Sequence, residues 1–254
     1  MSLLHAEREL RRMGENDLAG IVAGVRGKLG SDIPLPETDE KGKKPQTESQ
    51  VEQLPDVDLR QQTYEMLSLI RKPSVEETEA LKDRGIVFLP ADTKTYAQVV
   101  ASNPAHFWKD ELEYANGKPA LRDFALPVST EIGLNPARLA IPGSFGKSMK
   151  DQLEMIEAGS QELQQELPDA RLVMLPVTAY AQADHAYKET TGEVLFKYYF
   201  ARCLDMLSGV IAAGAGRDDP SGQFSVGGWL ADDGTGYVGA VPAVVFVRGQ
   251  ELAS

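Results

Sequence analysis

Apolar positions fall at helical spacing twice near the start of the chain. Leu3, Leu4, Leu10 and Met13 share one face over residues 2–13, and a second apolar segment over 18–29, carrying Ile21, Val22 and Val25, follows Asn16 as its N-cap. Gly20, Gly24 and Gly27 repeat along that second segment. Small residues at this spacing allow close helix approach, but each costs about 1 kcal/mol against Ala, so a loose hairpin and a rigid one both stay open. The pattern stops over residues 31–55, where Pro34, Pro36, Pro45 and Pro55 punctuate a charged stretch, which predicts a flexible linker. The expected organisation is a helical segment (1–30), a linker (31–55) and an α+β domain (56–254).

Helical periodicity restarts at residues 56–71 with Leu59, Tyr64, Met66, Leu67 and Ile70, and Pro73 ends it. Ser74 and Glu77 then form a capping box, opening a helix that runs to about Arg84 with Gly85 as C-cap. Residues 86–89 are a short continuous apolar run closed by Pro90, the pattern of a buried strand, and a helix over 93–101 follows. Residues 124–141 alternate apolar pieces with Pro and Gly and read as strands or extended loops. Ser148 with Asp151 opens a long amphipathic helix to Leu167; residues 172–175 form another buried strand closed by Pro176; residues 178–190 form a helix ended by Gly192. The strings at 83–90 and 169–176 are alike, and each precedes Tyr-Ala-Gln, so either a duplicated helix–strand–helix unit or the common demands of a helix-to-strand step accounts for them. From Val194 the chain breaks into short apolar pieces separated by Gly-rich and Asp-rich turns, ending in a strand over 241–247, the pattern of a small antiparallel sheet with long loops.

Composition narrows the function classes. The chain has 254 residues with 42% hydrophobic positions, enough for a core, and a net charge of -12 from 38 acidic and 26 basic residues. Phosphate backbones are bound by clustered Lys and Arg, and the densest basic run, residues 41–44, is flanked by Asp39, Glu40 and Glu48, which argues against nucleic acid as a partner. No stretch approaches the ~20 apolar residues of a membrane span, and residues 1–12 carry no apolar run of signal-peptide length. A cytoplasmic protein is expected, with export by another route left open. The single cysteine, Cys203, forms no intrachain disulfide.

Candidate chemistry is sparse. Residues 143–148 precede a helix and suggest a phosphate loop, but the first glycine of that motif is replaced by Ile141, which favours a plain helix-entry turn. His5, His106 and His185 have no partner at metal-ligand spacing, and Asp184 beside His185 points elsewhere on a helix. Cys203 lies between apolar neighbours and reads as a buried small hydrophobe. Asp218-Asp219 and Asp232-Asp233 lie in loops without EF-hand spacing, so solvated turns are expected ahead of a calcium site. No cofactor, metal or catalytic set is expected. Trp229, between glycines and a polar turn, is a candidate binding anchor.

The stretch Ser225-Val226-Gly227-Gly228-Trp229, then Asp232-Asp233-Gly234, then residues 238–245, resembles the end of C-type-lectin-like domains of the formylglycine-generating-enzyme type, as found in variable proteins of diversity-generating retroelements. Residues 209–239 lack Lys, Glu and Met and use types reachable from adenine-containing codons. The resemblance implies a changeable ligand-binding face without catalysis. Its site residues would be Arg217, Asp218, Asp219, Phe224, Trp229, Asp232, Asp233 and Tyr237, contacting an unidentified protein or small ligand. Two alternatives stand beside it. One is an enzyme with a site assembled around Asp184, His185, Glu131 or Cys203. The other is a structural protein whose copies associate through residues 1–30.

Overall fold

The computed structural model describes residues 57–218 and 222–248, and it is an α+β protein. The expected N-terminal helices and the whole expected linker lie outside the described residues. Helix α1 (Val57–Leu67) leads into a two-residue strand β1 (Ile70–Arg71), and α2 (Val75–Lys82) follows behind the Ser74–Glu77 capping box, with both reciprocal hydrogen bonds present. Strand β2 (Val87–Ala91) runs through Pro90 instead of stopping before it. It sits at a sheet edge, where a missing N–H costs no ladder bond. Helix α3 (Tyr96–Ser102) opens on a second capping box, Thr95 with Gln98.

A 3₁₀ turn (Pro104–His106) and the short helices α4 (Glu111–Asn116) and α5 (Pro119–Asp123) lead to β3 (Thr130–Leu134). Helix α6 (Met149–Glu166) starts at the predicted Ser148–Asp151 box and packs on β4 (Ala170–Val173). Helix α7 (Val177–Thr191) ends at Gly192, whose φ of 77° is the left-handed C-cap that glycine adopts without a Cβ penalty. The remaining strands are β5 (Phe200–Met206), β6 (Ile211–Gly216), β7 (Ser225–Leu230), β8 (Val238–Gly239) and β9 (Ala243–Val247).

Two sheets result. In the first, β1, β3 and β4 all pair antiparallel with β9, and β2 pairs with β3. The second has the order β7-β6-β5-β8. Its first three strands are antiparallel as the sequence pattern expects, but β8 joins β5 in parallel, and the closing strand β9 belongs to the first sheet. The C-terminal strand is therefore the centre of the larger sheet: all five of its side chains are buried, and it reads as a continuous apolar run.

Helix α7 contacts β2 of one sheet and β5 and β6 of the other. Its first half is buried on all sides, with Ala179, Ala181 and Ala183 supplying the small side chains that such close packing requires. Pro176 supplies no side-chain cap; the Val177 N–H donates instead to the Asp205 carboxylate at 2.6 Å, a cap delivered from β5. The two similar strings are both helix–strand–helix, and both tyrosines that follow them are buried with bonded hydroxyls: Tyr96 donates to Glu111, Tyr180 to the Val241 carbonyl. The glutamines differ, Gln98 closing a capping box and Gln182 clamping the backbone of Asp92 from both sides. Among the described residues, no helix is long and apolar enough to cross a membrane.

Candidate functional site

Two places gather polar and aromatic side chains. The first is a loop cluster at one end of the four-stranded sheet. Residues 232–237 lie against the 143–147 turn, where the Gly146 N–H donates to the Thr235 carbonyl at 3.0 Å, and the Phe200 N–H donates to the Tyr237 carbonyl at 2.9 Å. These bonds join the loop that carries Tyr237 to the turn that carries Phe145 and to the start of β5, just after Tyr198; the three side chains are exposed at 49%, 37% and 67%. The Phe145 ring is edge-on to Tyr199 at 5.3 Å and covers Gly239. Asp232 and Asp233 are exposed on the same loops.

Trp229 is half-buried. Its ring lies across Gly214 and Gly227, where any Cβ would overlap it, and reaches Phe200 with centroids 5.0 Å apart. It fills a glycine-floored trough on the sheet, so its main work is packing. Arg217 and Phe224, expected on a displayed loop, are at 1% and 0% exposure and face the core. The reason is pairing: Arg217 has a buried carboxylate to meet, and Phe224 stacks among aromatic rings. Asp218 is exposed, and Asp219 lies outside the described residues.

The second place surrounds α7. Asp184 is turned wholly inward while His185 stays half-buried on the outer side, as helical geometry requires of neighbours. The Oδ1 of Asp184 accepts from the Leu195 N–H at 2.9 Å and the Phe196 N–H at 3.3 Å. Its Oδ2 lies 2.6 Å from Arg217 Nη1 and 2.9 Å from His106 Nε2. Burial raises the Asp184 pKa, but the bond from His106 and the charge of Arg217 outweigh it, leaving the carboxyl below its ordinary value. Arg217 is fixed further by donating Nε to the Gly222 carbonyl at 2.9 Å and by lying over the Phe224 ring at 5.4 Å.

His106 is delivered by the 3₁₀ turn and locked by a bridge between Phe107 and Phe224; its ring meets His185 edge-on at 4.9 Å. Burial and then the charge of His106 hold the His185 pKa below its ordinary value. Two clefts open on either side of His185 and Asn103. One, of 280 Å³, also has Asp92, Lys94 and Gln182; the other, of 350 Å³, has Ser102, His106, Lys188 and Glu189.

The structure thus links Asp184 and His185 through His106, which touches both, and separates the other two candidates from them. Glu131 is on β3, paired with Lys72 at 2.8 Å. Cys203 is fully buried in β5, and burial pushes its thiol pKa well up, which removes the thiolate a nucleophile needs. The 143–148 turn serves as helix entry: the Ser144 hydroxyl accepts from the Ala240 N–H, and Ser148 caps α6. Among the described residues, no group of three or more His, Cys, Asp or Glu is placed to hold a metal ion.

Sequence reasoning missed His106, because its partners arrive from α7 and from the end of β6. It also missed Arg202, where a signal existed: a charge inside the apolar run Phe200-Ala201-Arg202-Cys203-Leu204. Compared with protein-family models, with curated proteins and with solved structures, the chain matches none.

Proposed function

We propose that this protein binds a ligand through the loop cluster at the end of its four-stranded sheet, and that it does so without chemistry. The observation that carries the reading is the exposure of Tyr237 and Phe145 on two loops joined by the Gly146–Thr235 bond, with the exposed Asp232 and Asp233 on the first of them and the exposed Tyr198 two residues before Phe200, whose N–H bonds the Tyr237 carbonyl. Tyrosine offers large, stiff, amphipathic contact area at small entropic cost. The resemblance to variable C-type-lectin-like proteins, which covers the C-terminal stretch, implies that loop residues within 209–239, Asp232, Asp233 and Tyr237 among them, differ among copies of the gene while the scaffold stays constant. Trp229, Gly214 and Gly227 belong to that scaffold.

The test is sequencing of this gene across its source population. Substitutions concentrated in the codons for Asp232, Asp233 and Tyr237, with Gly214, Gly227 and Trp229 fixed, support a diversified face. An even spread, or none, overturns it. Once a ligand is in hand, Tyr237→Ala and Tyr198→Ala should abolish binding with an unchanged Tm.

A second reading rests on a different observation, the contact of His185 with the buried His106–Asp184 pair between two clefts. There, His185 with its lowered pKa would be the neutral base of a proton-transfer enzyme, and Asp184 would position His106. Any activity found in a panel of hydrolase and isomerase substrates must vanish in His185→Gln; survival would remove this reading.

A further inference from the structure

Among the described residues two arginines are fully buried, and their charges are compensated differently. Arg217 has its counter-ion, the Asp184 carboxylate at 2.6 Å. Arg202, at 0% exposure, makes no ion pair within 4.0 Å among the described residues, and the Asp233 charge favours it only from beyond that range. Its Nε donates to Gln152 Oε1 at 3.3 Å and its Nη2 to the Asp233 carbonyl at 3.4 Å, while Nη1 has no hydrogen-bond partner. Both bonds are long for a charged donor, which normally draws its acceptor to about 2.7–2.9 Å. A buried guanidinium so poorly compensated is expensive, and a chain that needed only packing here would do as well with methionine.

The surroundings hold the guanidinium in place and join it to a surface loop. Gln152, itself fully buried, is fixed by donating to the Ser144 and Val238 carbonyls, so its Oε1 orients Arg202 Nε. The Asp233 carbonyl belongs to a loop in which Asp232, Asp233 and Gly234 are all exposed. The guanidinium is therefore bonded directly to the backbone of an exposed loop. That loop is seated on the 143–147 turn by the Gly146–Thr235 bond, and Gly234 has no side chain to lift it.

We infer that Arg202 is the anchor of an oxyanion site, taking a carboxylate of a ligand on Nη1 and Nη2 when the 232–236 loop moves aside. The planar fork of guanidinium matches a carboxylate in a two-bond geometry, and the ligand oxygen replaces the weak Asp233 carbonyl contact. Phosphate shares the oxyanion chemistry, but the Asp232 and Asp233 carboxylates beside the entrance disfavour a dianion more than a single charge. The site lies next to the aromatic loop cluster proposed above but rests on the guanidinium and its partners alone.

The experiment is thermal melting of the full chain in sodium acetate, sodium phosphate and sodium chloride at matched ionic strength. Arg202→Met serves as control, because removal of an uncompensated buried charge leaves the fold intact. Acetate should raise the Tm of the wild type saturably, on the order of 5 °C at a hundredfold excess over Kd, and should leave Arg202→Met at its chloride value. In a Trp108→Phe background, emission then reports Trp229, whose ring lies beside Gly214, the cross-strand partner of Arg202, and it should shift over the same acetate range. Equal shifts in Arg202→Met, or no difference between acetate and chloride, would overturn the site. A larger response to phosphate than to acetate would overturn the carboxylate assignment. The Tyr198→Ala/Tyr237→Ala double variant should respond to acetate like wild type, so failure of the aromatic face and failure of the Arg202 site are read separately.

Discussion

Arg217 and Asp184 meet at 2.6 Å with both side chains at 0% exposure, joining the end of β6 to the middle of α7. His106 adds the 3₁₀ turn to the same carboxylate oxygen. Three segments remote in sequence are thus pinned at one buried point. Arg217→Met leaves Asp184 with only His106 and two backbone N–H groups, so it should cost about 3–5 kcal/mol in chemical denaturation. Asp184→Leu combined with Arg217→Met removes both charges and should recover most of that loss. A double variant no more stable than the worse single one would show that the pair has no such coupling.

Trp229 and the glycines beneath it form a second coupled unit. A Cβ at Gly214 would lie 2.7 Å from the Trp229 ring, and one at Gly227 would overlap the ring outright. Gly227→Ala should therefore displace the ring from Phe200, cost about 1–3 kcal/mol and change the tryptophan emission. Trp229→Ala alone should cost about 3–5 kcal/mol if its half-buried ring packs like a core side chain. In the Trp229→Ala background, Gly227→Ala should become nearly neutral, because there is no longer a ring to meet. An unchanged penalty would place the clash elsewhere.

Local signals were legible in the sequence, and long-range ones were not. The capping boxes at Ser74–Glu77 and Ser148–Asp151 and the Gly192 stop appear where the residues announce them, since caps are satisfied within one turn. Pro90 misled, because only the sheet order reveals that its strand is an edge. The final strand reads as part of a small C-terminal sheet, yet its continuous apolar run carries three partners, β1, β3 and β4, which no local pattern specifies. Arg217 reads as a loop cation, because the inward face of α7 that holds Asp184 is set by packing between two sheets.

Gly234 tests how tightly the 232–236 loop is held. A Cβ there would overlap the Gly146 carbonyl, and both partners are backbone, so neither moves cheaply. Gly234→Ala should cost about 1–3 kcal/mol and open the loop, seen as faster proteolysis at residues 232–236 than in wild type. Gly236→Ala, with nothing within 4 Å of its Cβ position, is the control and should leave cleavage unchanged. Equal cleavage of wild type and Gly234→Ala would show that the contact does not hold the loop.

Two buried carboxyls set the pH dependence. Burial raises Glu111 to about 7, against hydrogen bonds from the Tyr96 hydroxyl and the Val226 N–H, and raises Asp205 to about 7, against the bond from the Val177 N–H. In the unfolded chain both titrate near their ordinary values, about 4.3 and 3.9. Between those values and 7 the folded state holds more protons than the unfolded one, so stability falls as pH rises through this window and is level above it. At the full difference each group contributes about 4 kcal/mol to that fall. Asp184 works in the opposite sense: its lowered pKa favours the ionised form, so its contribution is lost only as pH drops through that folded value. Stability by urea denaturation should therefore be highest near pH 4 and fall from there towards pH 7. Glu111→Gln keeps an acceptor for Tyr96 and Val226 and does not titrate. It should flatten the decline between pH 5 and 7.5 and be more stable than wild type at pH 8. A Glu111→Gln profile parallel to wild type would assign the decline to other groups, with Asp205→Asn the next variant to measure.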